Sequence, residues 1–146
     1  MGTLVDEDLT RSIIGAFHEV YNTLGFGFLE HIYVMALERE LRRRGHHVDR
    51  EVSVRVMYKG EELSNQRLDM VVDGRIIIEV KSMMDLAKTA RRQLYNYLKA
   101  TNMEVGLLLH FGPAARFYRE VRSNQKKQKE DPPNRPDPPN PINPLS

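Results

Sequence analysis

Apolar positions recur with the helical period from the start of the chain. Leu9, Ile13, Ile14, Phe17, Val20, Tyr21 and Leu24 predict a helix over 7–23. Gly25-Phe26-Gly27 interrupts it. A second helix is predicted over about 28–44, with Leu29, Ile32, Tyr33, Ala36, Leu37 and Leu41 on one face and Gly45 where a C′ glycine is expected. At Val52-Ser-Val-Arg-Val-Met-Tyr58 the period drops to two, which predicts a half-buried strand with a turn after it at 59–62. Further strands are predicted over 66–72 and 75–81, then a helix over 85–100 striped by Leu86, Ala90, Leu94, Tyr97 and Leu98. Residues 104–110 form a near-continuous apolar run, as in a central strand covered on both faces. Phe111-Gly112-Pro113 ends that run, and 115–121 predicts a last edge strand.

This order is ααβββαβ, with one further edge strand. Hairpins followed by a crossover helix predict an α/β fold with a mixed central β-sheet flanked by helices.

Composition bounds the class. The 146 residues are 40% hydrophobic and 29% charged, as in a soluble globule with one core. Seven of the eight prolines lie within 132–146, after a polar run, so 1–122 is expected to be the domain and 123–146 a disordered Pro-rich tail. No apolar run approaches the roughly 20 residues that span a bilayer and no signal-peptide pattern opens the chain, so no membrane partner is expected. The absence of Cys excludes disulfides and thiolate metal sites and fits a cytoplasmic setting. A net charge of +2 leaves any case for nucleic acid to local basic clusters.

The chemistry concentrates in Asp69-Met-Val-Val-Asp-Gly-Arg-Ile-Ile-Ile-Glu-Val-Lys81. Asp-Gly between two β-branched runs reads as a hairpin. Glu79 and Lys81 are i and i+2 on a strand that is otherwise apolar, so they share a face, and charges there need partners. With Asp69 on the neighbouring strand they suggest a divalent metal site with a cationic helper. Mg²⁺ or Mn²⁺ bound by hard oxygens would serve phosphodiester hydrolysis. Asp69, Glu79 and Glu30 are the acids available, the Val80 carbonyl could add a ligand, and Lys81 could orient or deprotonate the attacking water.

This arrangement resembles the PD-(D/E)xK nuclease superfamily: a helix acid, a strand Asp, Glu-x-Lys on the next strand, then a helix. The resemblance runs from about residue 9 to 122. It extends to Gln93-Leu-Tyr-Asn-Tyr97, which is similar to the Gln-x-x-x-Tyr motif of the RecB-type branch. That likeness implies a restriction-endonuclease-like core with Gln93 and Tyr97 beside the metal and the substrate backbone. Closer still is the small bacterial GxxExxY family, whose motif stands here as Gly27-Phe-Leu-Glu30-His-Ile-Tyr33. Arg67-Leu68 stands where the superfamily name has Pro. His110 stands where Asn is expected, which bears on a hydrogen bond at the strand end.

Register provides a sharper expectation. A two-residue turn at Asp73-Gly74 would set Asp69 opposite Ile78 and turn it away from Glu79, because one step of slip inverts every side chain. Only an odd-length loop or a bulge brings Asp69 and Glu79 to one face. A type I turn at Val72-Asp73-Gly74 with a G1 bulge, placing Asp69 opposite Ile77, is expected.

The remaining polar residues have plainer readings. His46-His47 read as solvated loop histidines, and His18 and His31 lack partners at zinc-ligand spacing. Arg42-Arg43-Arg44 reads as a helix end complementing the dipole. Arg91 and Arg92, on the helix of the Gln-x-x-x-Tyr motif, are the better candidates for phosphate contacts. Tyr33 is expected to be packed. The leading expectation is a metal-dependent nuclease acting on DNA in preference to RNA. The competing one is a catalytically silent module binding nucleic acid or protein. Since the basic surface is modest, a second copy or a partner protein would add the missing contacts.

Overall fold

A computed structural model describes residues 6–124. Two helices, α1 (Glu7–Leu24) and α2 (Glu30–Arg43), precede three strands, β1 (Val48–Tyr58), β2 (Glu61–Val72) and β3 (Ile76–Lys81). Then come α3 (Ala90–Lys99), β4 (Val105–Phe111) and β5 (Ala115–Val121). The strands form one sheet in the order β1-β2-β3-β4-β5, antiparallel except for the parallel pair β3/β4 joined through α3. The expected mixed α/β sheet with flanking helices is what the chain forms. The expected tail, 123–146, lies outside the described residues from 125 on; at its start the Arg122 N–H donates to Glu104 O and the Asn124 N–H to the Glu104 carboxylate.

Alternation on the central strands sorts the core into two layers. Met70, Val72, Ile76, Ile78, Val80, Leu107, Leu109 and Phe111 pack against α1 and α2. Val71, Ile77 and Leu108 meet Leu94, Tyr97 and Leu98 of α3 on the other face. Gly106 lets α3 approach closely, since a Cβ there would stand 2.7 Å from Leu94 Cδ1.

Three boundaries depart from the sequence expectation. β1 and β2 run longer than 52–58 and 66–72: β1 begins at Val48, paired to Val72 at the buried end of β2, and β2 begins at Glu61, where its polar outer end joins β1 in a hairpin closed by Lys59-Gly60, both at positive φ. Residues 61–65 are mostly exposed, so no buried face imposes alternation on them. α3 begins at Ala90 rather than near 85. Residues 82–89 form a loop whose Met83 carbonyl is bonded by the His110 side chain. A carbonyl held from the sheet is not available to start a helix.

His46 is not a solvated loop residue. Its ring lies between Ser12 Oγ (2.7 Å to Nε2) and Asp73 Oδ2 (2.8 Å to Nδ1). Asp73 also accepts from the His47 N–H, so α1, the α2–β1 loop and the β2–β3 turn are tied at one point. Ser-His-Asp here is a latch: Ser12 sits inside α1, where backbone N–H groups are spent on the helix and cannot hold an oxyanion. At the end of α2, Arg42 and Arg44 pair with Glu38 and Glu40, and Arg42 also bonds the Val48 carbonyl.

Candidate active site

The hairpin has the required parity with a different turn. Val72 pairs with Ile76, leaving 73–75 as a three-residue loop in which Asp73 (φ 52°) and Gly74 (φ 64°) are both left-handed. The Arg75 N–H donates to Val72 O at 3.0 Å. The expected Val72-Asp73-Gly74 loop with Asp69 opposite Ile77 is therefore corrected by one step on each strand. The reason is packing: Val72 is fully buried and still paired to Val48 of β1. The turn falls to Asp73, a residue that tolerates the left-handed region and is anchored by His46 and His47.

From this turn, Met70 pairs with Ile78, and the same register carried one residue on sets Asp69 opposite Glu79 on the α3 face. The side chains replace the ladder there. Glu79 Oε2 accepts from the Asp69 N–H at 3.0 Å, and Asp69 Oδ2 accepts from the Val80 N–H at 2.7 Å. On the other side, the pairing of β1 with β2 passes over Glu51, a non-glycine residue at φ 53° across from Asp69. Backbone strain of about 1–3 kcal/mol is thus held beside the acid, a frequent feature of functional sites.

Electrostatics mark the same place. Burial, then the Asp69 charge, push the Glu79 carboxyl up to about 8, against the Asp69 N–H bond and the charge of Lys81. Burial raises Asp69, opposed by the Val80 N–H and by Lys81 and Arg50. Glu30, at the first turn of α2, is raised by burial and by Asp69, opposed by Lys81 and by a hydrogen bond from the Ser82 backbone. Tyr97 is raised by burial and by Glu79, which brings α3 to the same site. Gln93 Nε2 donates to Tyr97 Oη at 3.0 Å. Lys81 makes no ion pair among the described residues, so a simple Glu79–Lys81 salt bridge does not describe the pair.

Glu30 depends on the motif around it. Gly25 (φ 74°) and Gly27 (φ 115°) turn the chain between α1 and α2. The Tyr33 hydroxyl donates to the Gly25 carbonyl and accepts from the Phe28 N–H, while its ring stacks on Phe111 at 4.3 Å. Tyr33 is fully buried, packed as expected, and its hydroxyl fixes the loop that delivers Glu30. The expected phosphate contacts are partly committed elsewhere: Arg91 bonds Glu120 at 2.6 Å and lies over the Tyr118 ring, and Arg92 lies over Tyr95.

The Val80 side chain is fully buried on the α1/α2 face, leaving only its backbone to serve the site. Carboxylates and a carbonyl are the hard oxygen donors Mg²⁺ or Mn²⁺ prefers, and cation binding would relieve the repulsion between Asp69 and Glu79, so the donor set fits such an ion. Among the described residues, no three His, Asp or Glu side chains are drawn together as a closed metal cluster.

The family comparison agrees with this geometry. A family model of the PD-(D/E)XK nuclease superfamily matches residues 7–123. The chain belongs to that superfamily. Its α/β sheet with helices on both faces is the restriction-endonuclease-like fold. A solved structure described as "Crystal structure of SSO0001" is similar at 17% identity and a TM-score of 0.48, covering 81% of this chain. The chain spans 59% of that structure's length. No curated protein matches. Within this superfamily nucleases generally use Mg²⁺ or Mn²⁺ and act on nucleic acid. Among the described residues no helix is long and apolar enough to cross a membrane.

His110 makes a hydrogen bond at the strand end, where the sequence places it. It is buried on β4 as the ladder partner of Lys81, and its Nε2 holds Met83 O at 2.7 Å. A histidine inside an otherwise apolar run was the available signal.

Proposed function

We propose that the protein is a metal-dependent phosphodiesterase acting on DNA, of the GxxExxY type and working in the cytoplasm. The observation that carries this reading is the opened ladder at Asp69 and Glu79, where two carboxylates share one face with Lys81 beside them.

Asp69, Glu79 and Glu30, with the Val80 carbonyl, would hold Mg²⁺ or Mn²⁺. When bound, the ion supplies a more acidic water and charge stabilisation at the phosphate. Lys81 is the cation facing all three acids. Its ammonium orients the attacking water or the phosphate oxygen it approaches, and its unprotonated form can take the water's proton. Gln93 and Tyr97 present an amide and a hydroxyl one helical turn apart, suited to positioning the substrate backbone. Ionisation of Glu79 is disfavoured until a cation arrives, so ion binding and deprotonation are coupled.

A second reading, a silent module that binds nucleic acid or protein, draws support from one observation. Both acids already spend carboxylate oxygens on backbone N–H groups of the opposite strand. Incubating the purified chain with linear, nicked and single-stranded DNA and with RNA, in Mn²⁺, Mg²⁺ or EDTA, separates the two. Cleavage lost in Glu79→Gln and Lys81→Ala supports the nuclease. No cleavage, with no Mn²⁺ uptake by calorimetry, supports the silent module.

A further inference from the structure

A cleft of about 410 Å³, lined in part by His110, the ladder partner of Lys81, opens between the 82–89 loop and the β4–β5 corner. We infer that it holds one nucleotide of a single DNA strand adjoining the scissile phosphate, a role resting on the nuclease reading above.

Position comes first. Lys81 pairs with His110, and His110 with Arg116, so the three side chains lie in a row across β3, β4 and β5 on the α3 face. The cleft lies where the parallel strands β3 and β4 end at their carboxyl side, the common place for a ligand in an open α/β sheet. Its size falls in the range of small-molecule sites, about 300–1,000 Å³.

The walls are graded in chemistry. Arg116 is exposed and, among the described residues, pairs with no carboxylate. Tyr118, two residues along the same face, offers an aromatic surface, and the Arg91 guanidinium lies 4.8 Å from its ring centroid. Met84 and Leu86 supply apolar contact from the loop, and Asp85 lies exposed on that lip. A cation on one wall, flat and apolar surface between, and an acid on the other match a nucleotide, with its phosphate at Arg116 and base amino groups toward Asp85. Neither a lipid nor an acidic peptide has that gradient.

His110 makes the cleft a built one. A carbonyl can only accept, so the Nε2–H donates to Met83 and fixes the loop wall; in the neutral ring Nδ1 is then an acceptor. That Nδ1 is buried without a hydrogen-bond partner, a polar group left for a small ligand-induced shift to satisfy. A base enters such a cleft only when it is unpaired, so single strands and frayed ends are preferred to duplex interior.

The test uses the full chain in EDTA, where nothing is cut, and a fluorescein-labelled single-stranded DNA 12-mer followed by anisotropy across a salt series. Arg116→Gln should weaken binding several-fold and reduce the slope of log K against log salt by about 0.7, one phosphate contact on a single strand. Arg116→Lys should recover most of the affinity, and neither variant should shift the thermal midpoint. An oligonucleotide carrying 5-iodouracil should photocross-link within 83–86 or 110–118. Unchanged affinity and slope in Arg116→Gln, no binding by the wild type, or cross-links only elsewhere would each overturn the inference. Tighter Arg116-dependent binding of an RNA 12-mer would reassign the cleft to RNA. Arg116-dependent DNA binding with no cleavage in Mn²⁺ would keep the cleft and remove the nuclease. Cleavage with Arg116-independent binding would do the reverse.

Discussion

Asp69 and Glu79 are bound crosswise: Glu79 Oε2 accepts from the Asp69 N–H, while Asp69 Oδ2 accepts from the N–H of Val80, the residue after Glu79. Each acid thereby stands in for a carbonyl of the β2/β3 ladder. This seals the strand ends at the point where the sheet opens and keeps both carboxyl groups close together.

Burial of Glu79, with the Asp69 charge beside it, gives metal-free stability a sign. The Glu79 carboxyl is raised to about 8, so the folded state binds a proton the unfolded state has already released between about 4.5 and 8. The contribution is full below the unfolded pKa and is lost as pH rises through about 8. Urea unfolding in EDTA should therefore show the wild type losing stability across this window relative to Glu79→Gln. Parallel curves would mean that Glu79 is not perturbed in this way.

Addition of Mn²⁺ should reverse the trend. Because ion binding needs Glu79 ionised, affinity measured by calorimetry should rise with pH and level off above about 8. In Glu79→Gln the affinity should fall at least tenfold and lose most of its pH dependence; an unaltered variant would remove Glu79 from the ligand set.

Tyr33→Phe keeps the ring on Phe111 but loses the hydroxyl that joins the Gly25 carbonyl to the Phe28 N–H. The expected cost is about 1–3 kcal/mol in thermal or urea unfolding. Activity should drop further than stability explains, since Glu30 follows that loop. Equal activity per folded molecule would confine Tyr33 to packing.

Gly106→Ala tests how α3 is seated. The added Cβ would meet Leu94 Cδ1 at 2.7 Å and Cγ at 3.0 Å, so the helix must move or Leu94 leave its rotamer. A loss of about 1–3 kcal/mol is expected, with reduced cleavage because Gln93 and Tyr97 ride on the same helix. Gly15→Ala is the contrast, since its new Cβ meets only the movable end of Arg44 and should leave stability equal or raise it by up to about 1 kcal/mol.

Strands buried on both faces were readable from sequence because burial imposes a pattern: Ile76–Val80 and Val105–Phe111 fall close to where their apolar runs place them. The outer end of β2 at 61–65 left no such pattern, since its residues are mostly exposed. The loop at 82–89 looked helical because Leu86 continues the stripe of α3, whereas the bond from His110 to Met83 is a tertiary fact with no local trace. The acids could be named individually, and even the parity of their hairpin followed from the need to share a face. Which residues formed the turn did not follow, because that depends on Val72 remaining paired to Val48 and on Asp73 finding His46 and His47 across the fold.

The three-residue loop at 73–75 also sets what length changes the hairpin can absorb. A single residue inserted there would be taken up as a four-residue loop, with Val72 still paired to Ile76 and Asp69 still opposite Glu79. An insertion of two residues would lengthen the loop while leaving both strands as they are. Loop variants should therefore divide by whether Val72 stays paired with Ile76 rather than by size, with those that keep the pair retaining whatever chemistry the two acids support.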